Sequence, residues 1–175
     1  MDLIKLFLLT ATGYLLLGLF DLAQIHQRRQ LCRIFSVGFL VITLPYFLLL
    51  TRYRSPFDPP LQIVLFVLTA IAALFTLYIA VLEIPLRHKE KGAVYSRGSY
   101  AAVRHPGFLA HLLFSLLFSL TLFDLRVAGL CLLFVVCNLI LVTVEDRVLF
   151  PKLFPDYVYY KENTGFLLPR RRGHR

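Results

Sequence analysis

Five long apolar runs govern what this chain can fold into: residues 3–20, 34–50, 61–82, 106–123 and 127–144. Each is close to the roughly 17–25 apolar residues needed to cross a bilayer as a helix. None carries Lys, Arg, Asp or Glu in its central part. In lipid only helices and closed barrels satisfy their own backbone. A barrel would show alternating strands of about ten residues, and the runs show no such alternation. The expected fold is therefore all-α: a single membrane domain over residues 1–175 with about five transmembrane helices. Composition agrees, with 58% hydrophobic and 17% charged residues, against about 45–50% and about 25% in soluble domains. Disordered, collagen-like and disulfide-scaffold classes are excluded, and so is an ordinary soluble domain. Asp2 weakens any positively charged leader region, and no clear small-x-small cleavage site follows, so the first run is expected to be retained. Pro45 inside the second run is expected to kink it.

A net charge of +9 accompanies this apolar composition, and its meaning depends on where the cations lie. The connection before the second run holds Arg28, Arg29 and Arg33; the connection 83–105 holds Arg87, Lys89, Lys91, Arg97 and Arg104. The tail holds Arg147, Lys152, Lys161, Arg170, Arg171, Arg172 and Arg175. These fifteen fall on one side of a five-span topology, and Lys5, Arg52, Arg54 and Arg126 fall on the other. The positive-inside rule then places the N-terminus outside and the C-terminus in the cytoplasm. The charge is explained by topology and by anionic headgroups, so no nucleic-acid partner is expected. Cys32, Cys131 and Cys137 show neither metal nor redox spacing, and the two within the fifth run, Cys131 and Cys137, read as packing residues.

The fourth and fifth runs are joined by Asp124, Leu125 and Arg126. So short a link makes an antiparallel helical hairpin. His105, before the fourth helix, and Glu145, after the fifth, become spatial neighbours although they are far apart in sequence. Pro106 suits a first helical position, and the free N–H groups of that helix start favour an anion. Glu145 and Asp146, the only adjacent acids in the chain, are expected at a helix C-terminus, where they oppose the macrodipole. That placement invites Arg104, His105, Arg147 or a ligand. Read singly, these residues are ordinary span-flanking charges; read together, they mark a site.

The motif Gly98-Ser99-Tyr100-Ala101-Ala102-Val103-Arg104-His105-Pro106, the hairpin, and then Glu145-Asp146-Arg147-Val148-Leu149 carry a resemblance. Phe154-Pro155-Asp156-Tyr157-Val158-Tyr159-Tyr160 and Asn163-Thr164-Gly165-Phe166-Leu167-Leu168-Pro169 extend it. Over roughly residues 90–170 the chain resembles the isoprenylcysteine carboxyl methyltransferase family, which overlaps with membrane phospholipid N-methyltransferases. The resemblance implies an S-adenosylmethionine-dependent membrane methyltransferase. Its cofactor pocket would lie on the cytoplasmic side, in segments 83–105 and 145–175, and its lipophilic or lipidated acceptor would enter from the membrane lipid. It further implies that Tyr100, Arg104, His105, Pro106, Gly107 and Phe108 line the cofactor pocket with Glu145 and Asp146. Gly92, Ala93, Val94 and Tyr95 would add backbone contacts, and Arg104 would pair with the cofactor's carboxylate or with Glu145. His105 is the candidate catalytic group, as the one nearby side chain with an ordinary pKa near neutrality.

Several positions depart from the family pattern. Phe108 replaces a Tyr, which keeps packing and removes a hydroxyl, and Ala110 and Pro155 replace glycines. Asp146 replaces a Glu. Leu141 replaces an Arg that prenylcysteine enzymes carry, which argues against a prenylcysteine carboxylate as acceptor. His111, with Ser115 and Ser119, forms a polar stripe on the fourth helix, read either as helix packing or as an acceptor entrance. Tyr157 is a second entrance candidate; with Tyr159 and Tyr160 it also suits an interfacial anchor. Asn138 reads as a polar contact between helices, and Arg170-Arg171-Arg172 as a solvated or headgroup-facing tail. An NADPH-dependent membrane reductase, which shares an Arg-His-Pro loop, and a non-catalytic protein of the same fold are the alternatives. The expected location is a membrane, microbial plasma membrane or endoplasmic reticulum.

Overall fold

The computed structural model describes residues 2–26, 33–87 and 93–170. Gly92, Arg171 and Arg172 lie outside them. Helix α1 (Leu3–Ile25) is capped by Asp2, whose carboxylate accepts from the Ile4 N–H at 3.0 Å. Helix α2 (Arg33–Arg52) contains Pro45, and α3 (Pro59–Leu77) begins on two prolines, where missing N–H groups cost nothing. A π turn (Tyr78–Leu82) carries α3 into the short α4 (Glu83–Arg87). After a 3₁₀ turn (Gly98–Ala101) come α5 (Pro106–Leu122) and α6 (Leu125–Val144). A second π turn (Glu145–Leu149) continues α6 into α7 (Phe150–Leu153), and α8 (Tyr157–Asn163) follows.

Four helical stretches are long and apolar enough to cross a membrane: Leu3–Ile25, Arg33–Arg52, Pro59–Leu82 and Leu125–Leu153. The expected span 106–123 forms a shorter apolar helix of 17 residues. At 1.5 Å per residue that is about 25 Å, slightly less than a hydrocarbon core of about 30 Å. Two expectations change. The first helix runs on to Ile25 and so includes Asp21. Glu145 and Asp146 do not end a helix; they sit in a π turn inside a helical stretch that continues to Leu153.

The α5–α6 hairpin closes through Phe123, whose positive φ (46°) ends α5, and Asp124. The Asp124 carboxylate accepts from the N–H groups of Arg126 and Val127 at 2.8 and 3.2 Å. Side by side, the helices run in the order α2, α1, α6, α5, α3. The interior combines Leu6, Leu49, Phe118, Leu122, Val127, Leu130 and Phe134 with Tyr46 at the centre. Outward faces are apolar: Leu15, Leu74, Leu116 and Leu132 are all more than half exposed. Buried hydroxyls lie within, including a Thr69–Thr121 contact of 2.8 Å that joins α3 to α5. Apolar outside and polar contacts inside is the arrangement that lipid solvation favours.

Close approach of α1 and α2 depends on glycine. A Cβ on Gly13 would meet Ile42 Cγ1 at 2.6 Å and the Gly38 carbonyl oxygen at 3.0 Å, whereas one on Gly129 would meet nothing within 4 Å. Gly13→Ala is therefore expected to destabilise the bundle by about 1–3 kcal/mol. Gly129→Ala should be neutral or stabilising, since Ala is the better helix former. Thermal unfolding in detergent separates the two.

Candidate functional site

The residues singled out by sequence converge where α5 begins and α6 passes into its π turn. Arg104 and Asp146 form the centre. Arg104 Nε lies 2.7 Å from Asp146 Oδ1, and both side chains are more than nine-tenths buried. The Arg104 partner is thus Asp146 and not Glu145. Asp146 also takes the Lys161 ammonium at 2.8 Å and accepts from the Tyr157 hydroxyl at 2.8 Å. Arg104 Nη2 donates to Asp146 Oδ2 at 3.4 Å, and Nη1 donates to the backbone carbonyls of Lys161 and Thr164, each at 2.8 Å. Every strong charge in this cluster therefore has a partner, as burial demands.

The tail closes over the same residues. Val103 and Gly165 form a parallel bridge, and the N–H groups of Arg104 and His105 donate to the carbonyls of Gly165 (2.8 Å) and Phe166 (3.4 Å). Phe166 lies edge-on to His105 and beneath the Arg104 guanidinium, 5.7 Å from its ring centre, which adds a cation–π contact. Phe150 stacks on the other side of His105, with ring planes 11° apart.

His105 is held between the two adjacent acids. Its Nδ1 is 3.8 Å from Glu145 Oε2, and its Nε2 is 3.6 Å from Asp146 Oδ1 and has no hydrogen-bond partner. Burial lowers the His105 pKa; Asp146 opposes this, and the Arg104 and Lys161 charges reinforce it. The imidazole is therefore neutral at pH 7, with a lone pair on one nitrogen. Burial likewise raises Tyr157, and its bond to Asp146 raises it further, so it stays a phenol.

The segment before α5 is folded by an acid that sequence reasoning missed. Glu83 is buried, and its carboxylate accepts from the Ser99 N–H (2.9 Å), the Ser99 hydroxyl (2.5 Å) and the Tyr95 hydroxyl (3.5 Å). Gly98, at φ 58°, passes so close to that carboxylate that a side chain would collide with it. Tyr100 stands edge-on to Tyr95, its hydroxyl 3.5 Å from the Ile79 carbonyl, while its own carbonyl accepts from Tyr160 at 2.6 Å. The Val94 N–H donates to the Asp156 carboxylate. Ala93 lies beside it in the same segment. Pro106 and Phe108 are buried, the latter against Val135 and Val142, and Gly107 faces Ile79 and Ala80.

His111 lies deeper, among α1, α2, α5 and α6. Asn138 Nδ2 contacts its Nδ1 at 3.1 Å, so its Nε2 carries the hydrogen toward the Tyr46 hydroxyl at 2.9 Å. Tyr14 and Ser115 lie within 3.5 Å. The His111 nitrogens are thus engaged by protein groups, and Tyr157 is buried on Asp146. Beyond Glu83, the residues not anticipated are Lys161 and Phe150, and Asp21, whose helix α1 packs against the π turn that holds Glu145. The one available signal for Asp21 and Glu83 was an acid at the end of an apolar run on the cation-rich side. An apolar groove lined by Leu3, Phe7, Gly129, Leu130, Leu133 and Arg126 lies at the other end of α1 from Asp21.

Asp146→Asn should cost about 3–5 kcal/mol, because it leaves the Arg104 charge buried without its counter-charge. Lys161→Ala should cost less than about 1 kcal/mol, as that side chain is 41% exposed. Denaturant titration tests both. The pH dependence has a definite sign. The unfolded His105 binds a proton near its ordinary pKa of about 6.5 and the folded one resists it, so its stabilising contribution is full above that pH and is lost below it. Wild-type unfolding temperature should therefore fall more steeply from pH 7 to pH 5 than that of His105→Asn.

Comparison with protein-family models, with curated proteins and with solved structures finds no match.

Proposed function

We propose that this chain is an integral membrane methyltransferase that uses S-adenosylmethionine and acts on a lipophilic acceptor, carboxylate, amine, phenol or thiol. The observation that carries the reading is the meeting of His105 with Glu145. Two residues at the open end of the helical hairpin, one before α5 and one after α6, come within 3.8 Å, beside a docked aromatic tail. Their donor set fits such a cofactor: His105 Nε2 is buried without a hydrogen bond, and the described residues place no Lys or Arg on Glu145. The fit rests also on the motif resemblance in residues 98–106 and 145–169.

In this reading five helices cross the membrane, with the cation-rich end and the site in the cytoplasm. When bound, S-adenosylmethionine supplies a sulfonium methyl group for in-line displacement. The chain supplies position and electrostatics. Glu145 would hold the cofactor, with Tyr100, Pro106, Gly107 and Phe108 as the further lining residues that the resemblance implies. Asp146 holds Arg104 in place and thereby sets the backbone next to His105. Neutral His105 binds the cofactor, and its free lone pair accepts the proton of an amine or phenol acceptor. A carboxylate or thiolate acceptor needs no base.

Calorimetry with purified protein in detergent tests this. S-adenosylhomocysteine should bind, and His105→Ala and Glu145→Ala should each weaken it at least about tenfold, the loss of a hydrogen bond to a charged group. Wild-type affinity in both variants would refute the assignment, and binding of NADPH instead would favour a reductase.

A further inference from the structure

At the end of the bundle opposite His105 and Glu145, the starts of α1 and α6 leave a groove of about 260 Å³ between them. Leu3 and Phe7 of α1 face Leu130 and Leu133 of α6 across it, and its surface is almost wholly apolar. Arg126 and Gly129 complete the α6 wall, which from Arg126 to Leu133 runs for about 10 Å at 1.5 Å per residue. Gly129 has no packing reason to be glycine. A Cβ there would meet nothing within 4 Å, whereas one on Gly13 would collide with α2. Glycine weakens a helix interior, so its one effect at this position is to widen the groove. Arg126 is exposed, in the first turn of α6. The acids that begin these two helices are engaged as caps: Asp2 accepts from the Ile4 N–H, and Asp124 from those of Arg126 and Val127. Among the described residues no acid ion-pairs with Arg126. Its stem lies along the apolar wall, as long cationic side chains allow, and its guanidinium is the one unpaired charge of the lining.

We propose that this groove is a phospholipid site: one acyl chain lies along α1 and α6, and the lipid phosphate pairs with Arg126. Two features select this occupant. Both helices belong to stretches long and apolar enough to cross a membrane, so their starts stand at headgroup level and the groove runs down into the acyl region. A phospholipid presents its anion and its apolar chain in that same order. The second feature is charge complementarity, since a guanidinium matches a phosphate through two parallel N–H donors. The seated chain fills the space beside Gly129 and links α1 to α6 where each begins. This site lies apart from the His105 cluster and does not depend on the methyltransferase reading.

The test is native mass spectrometry of the full chain, stripped of lipid in detergent and titrated with palmitoyl-oleoyl phosphatidylglycerol, the matching diacylglycerol or oleic acid. Wild type should retain one phospholipid per chain and bind the diacylglycerol at least about tenfold more weakly, the scale of a hydrogen bond to a charged group. Arg126→Gln should weaken the phospholipid about tenfold and leave the diacylglycerol unchanged. Gly129→Leu puts a side chain into the groove and a better former into the helix. It should weaken both lipids at least about tenfold, with a lipid-free unfolding temperature equal to or above that of wild type. Lys5→Gln removes an exposed cation of α1 that does not line the groove, and should change binding less than about twofold. Equal losses in Lys5→Gln and Arg126→Gln would mean diffuse surface attraction and overturn the site. Phospholipid binding untouched by Gly129→Leu, oleic acid bound as tightly as phospholipid, or a lipid-free dimer that Gly129→Leu dissociates would overturn it too.

Discussion

The buried pair of Arg104 and Asp146 is the interaction on which the rest of this end of the molecule depends. A guanidinium out of water needs a counter-charge and acceptors for its remaining donors. Arg104 finds them on three separate stretches: the π turn, α8 and the tail at Thr164. Satisfying one side chain therefore draws together segments with little apolar reason to meet. An apolar trio in the same place would be as stable or more so. It would not define where the His105 ring sits relative to Glu145, because dispersion contacts are indifferent to small rotations while ion pairs with fixed donors are not.

The bundle below supplies the platform. Its helices gain nothing from hiding apolar surface from lipid, so packing and hydrogen bonds between helices must hold them. The His111 contacts to Tyr46, Asn138 and Tyr14 link four helices at one level, and Gly13 lets α1 close on α2. Such bonds are worth only about 0.6 kcal/mol each on average in a membrane protein, yet they are directional. They set the rotation of α1, α5 and α6, and each of these helices delivers a charged group to the site at one end.

Much of this was legible in the sequence, for identifiable reasons. The apolar runs announce themselves by length, and the three-residue link between the fourth and fifth runs is too short for anything but a hairpin, which puts His105 beside Glu145. The functional role assigned to those residues rests on the motif resemblance and stands as a proposal. Helix ends were harder to read. Nothing in Glu145-Asp146-Arg147 signals a π turn, and that extra residue per turn decides which acid faces Arg104. The Glu83 contact with Ser99 and the packing of α1 against the π turn are tertiary, and no local periodicity locates either. The return of residues 164–166 onto Arg104 is likewise set by the partner and not by the propensity of the segment.

The bridge between Val103 and Gly165 has a consequence for biogenesis. Membrane helices can enter the bilayer one by one as they are made, and α1 to α6 can pack with their neighbours as each arrives. The backbone of Arg104 and His105, by contrast, has its hydrogen-bond partners on Gly165 and Phe166. Until that stretch has emerged from the ribosome, the segment before α5 keeps an open edge and a guanidinium short of acceptors. The order of synthesis therefore makes the site form only after α1 to α6 have been made.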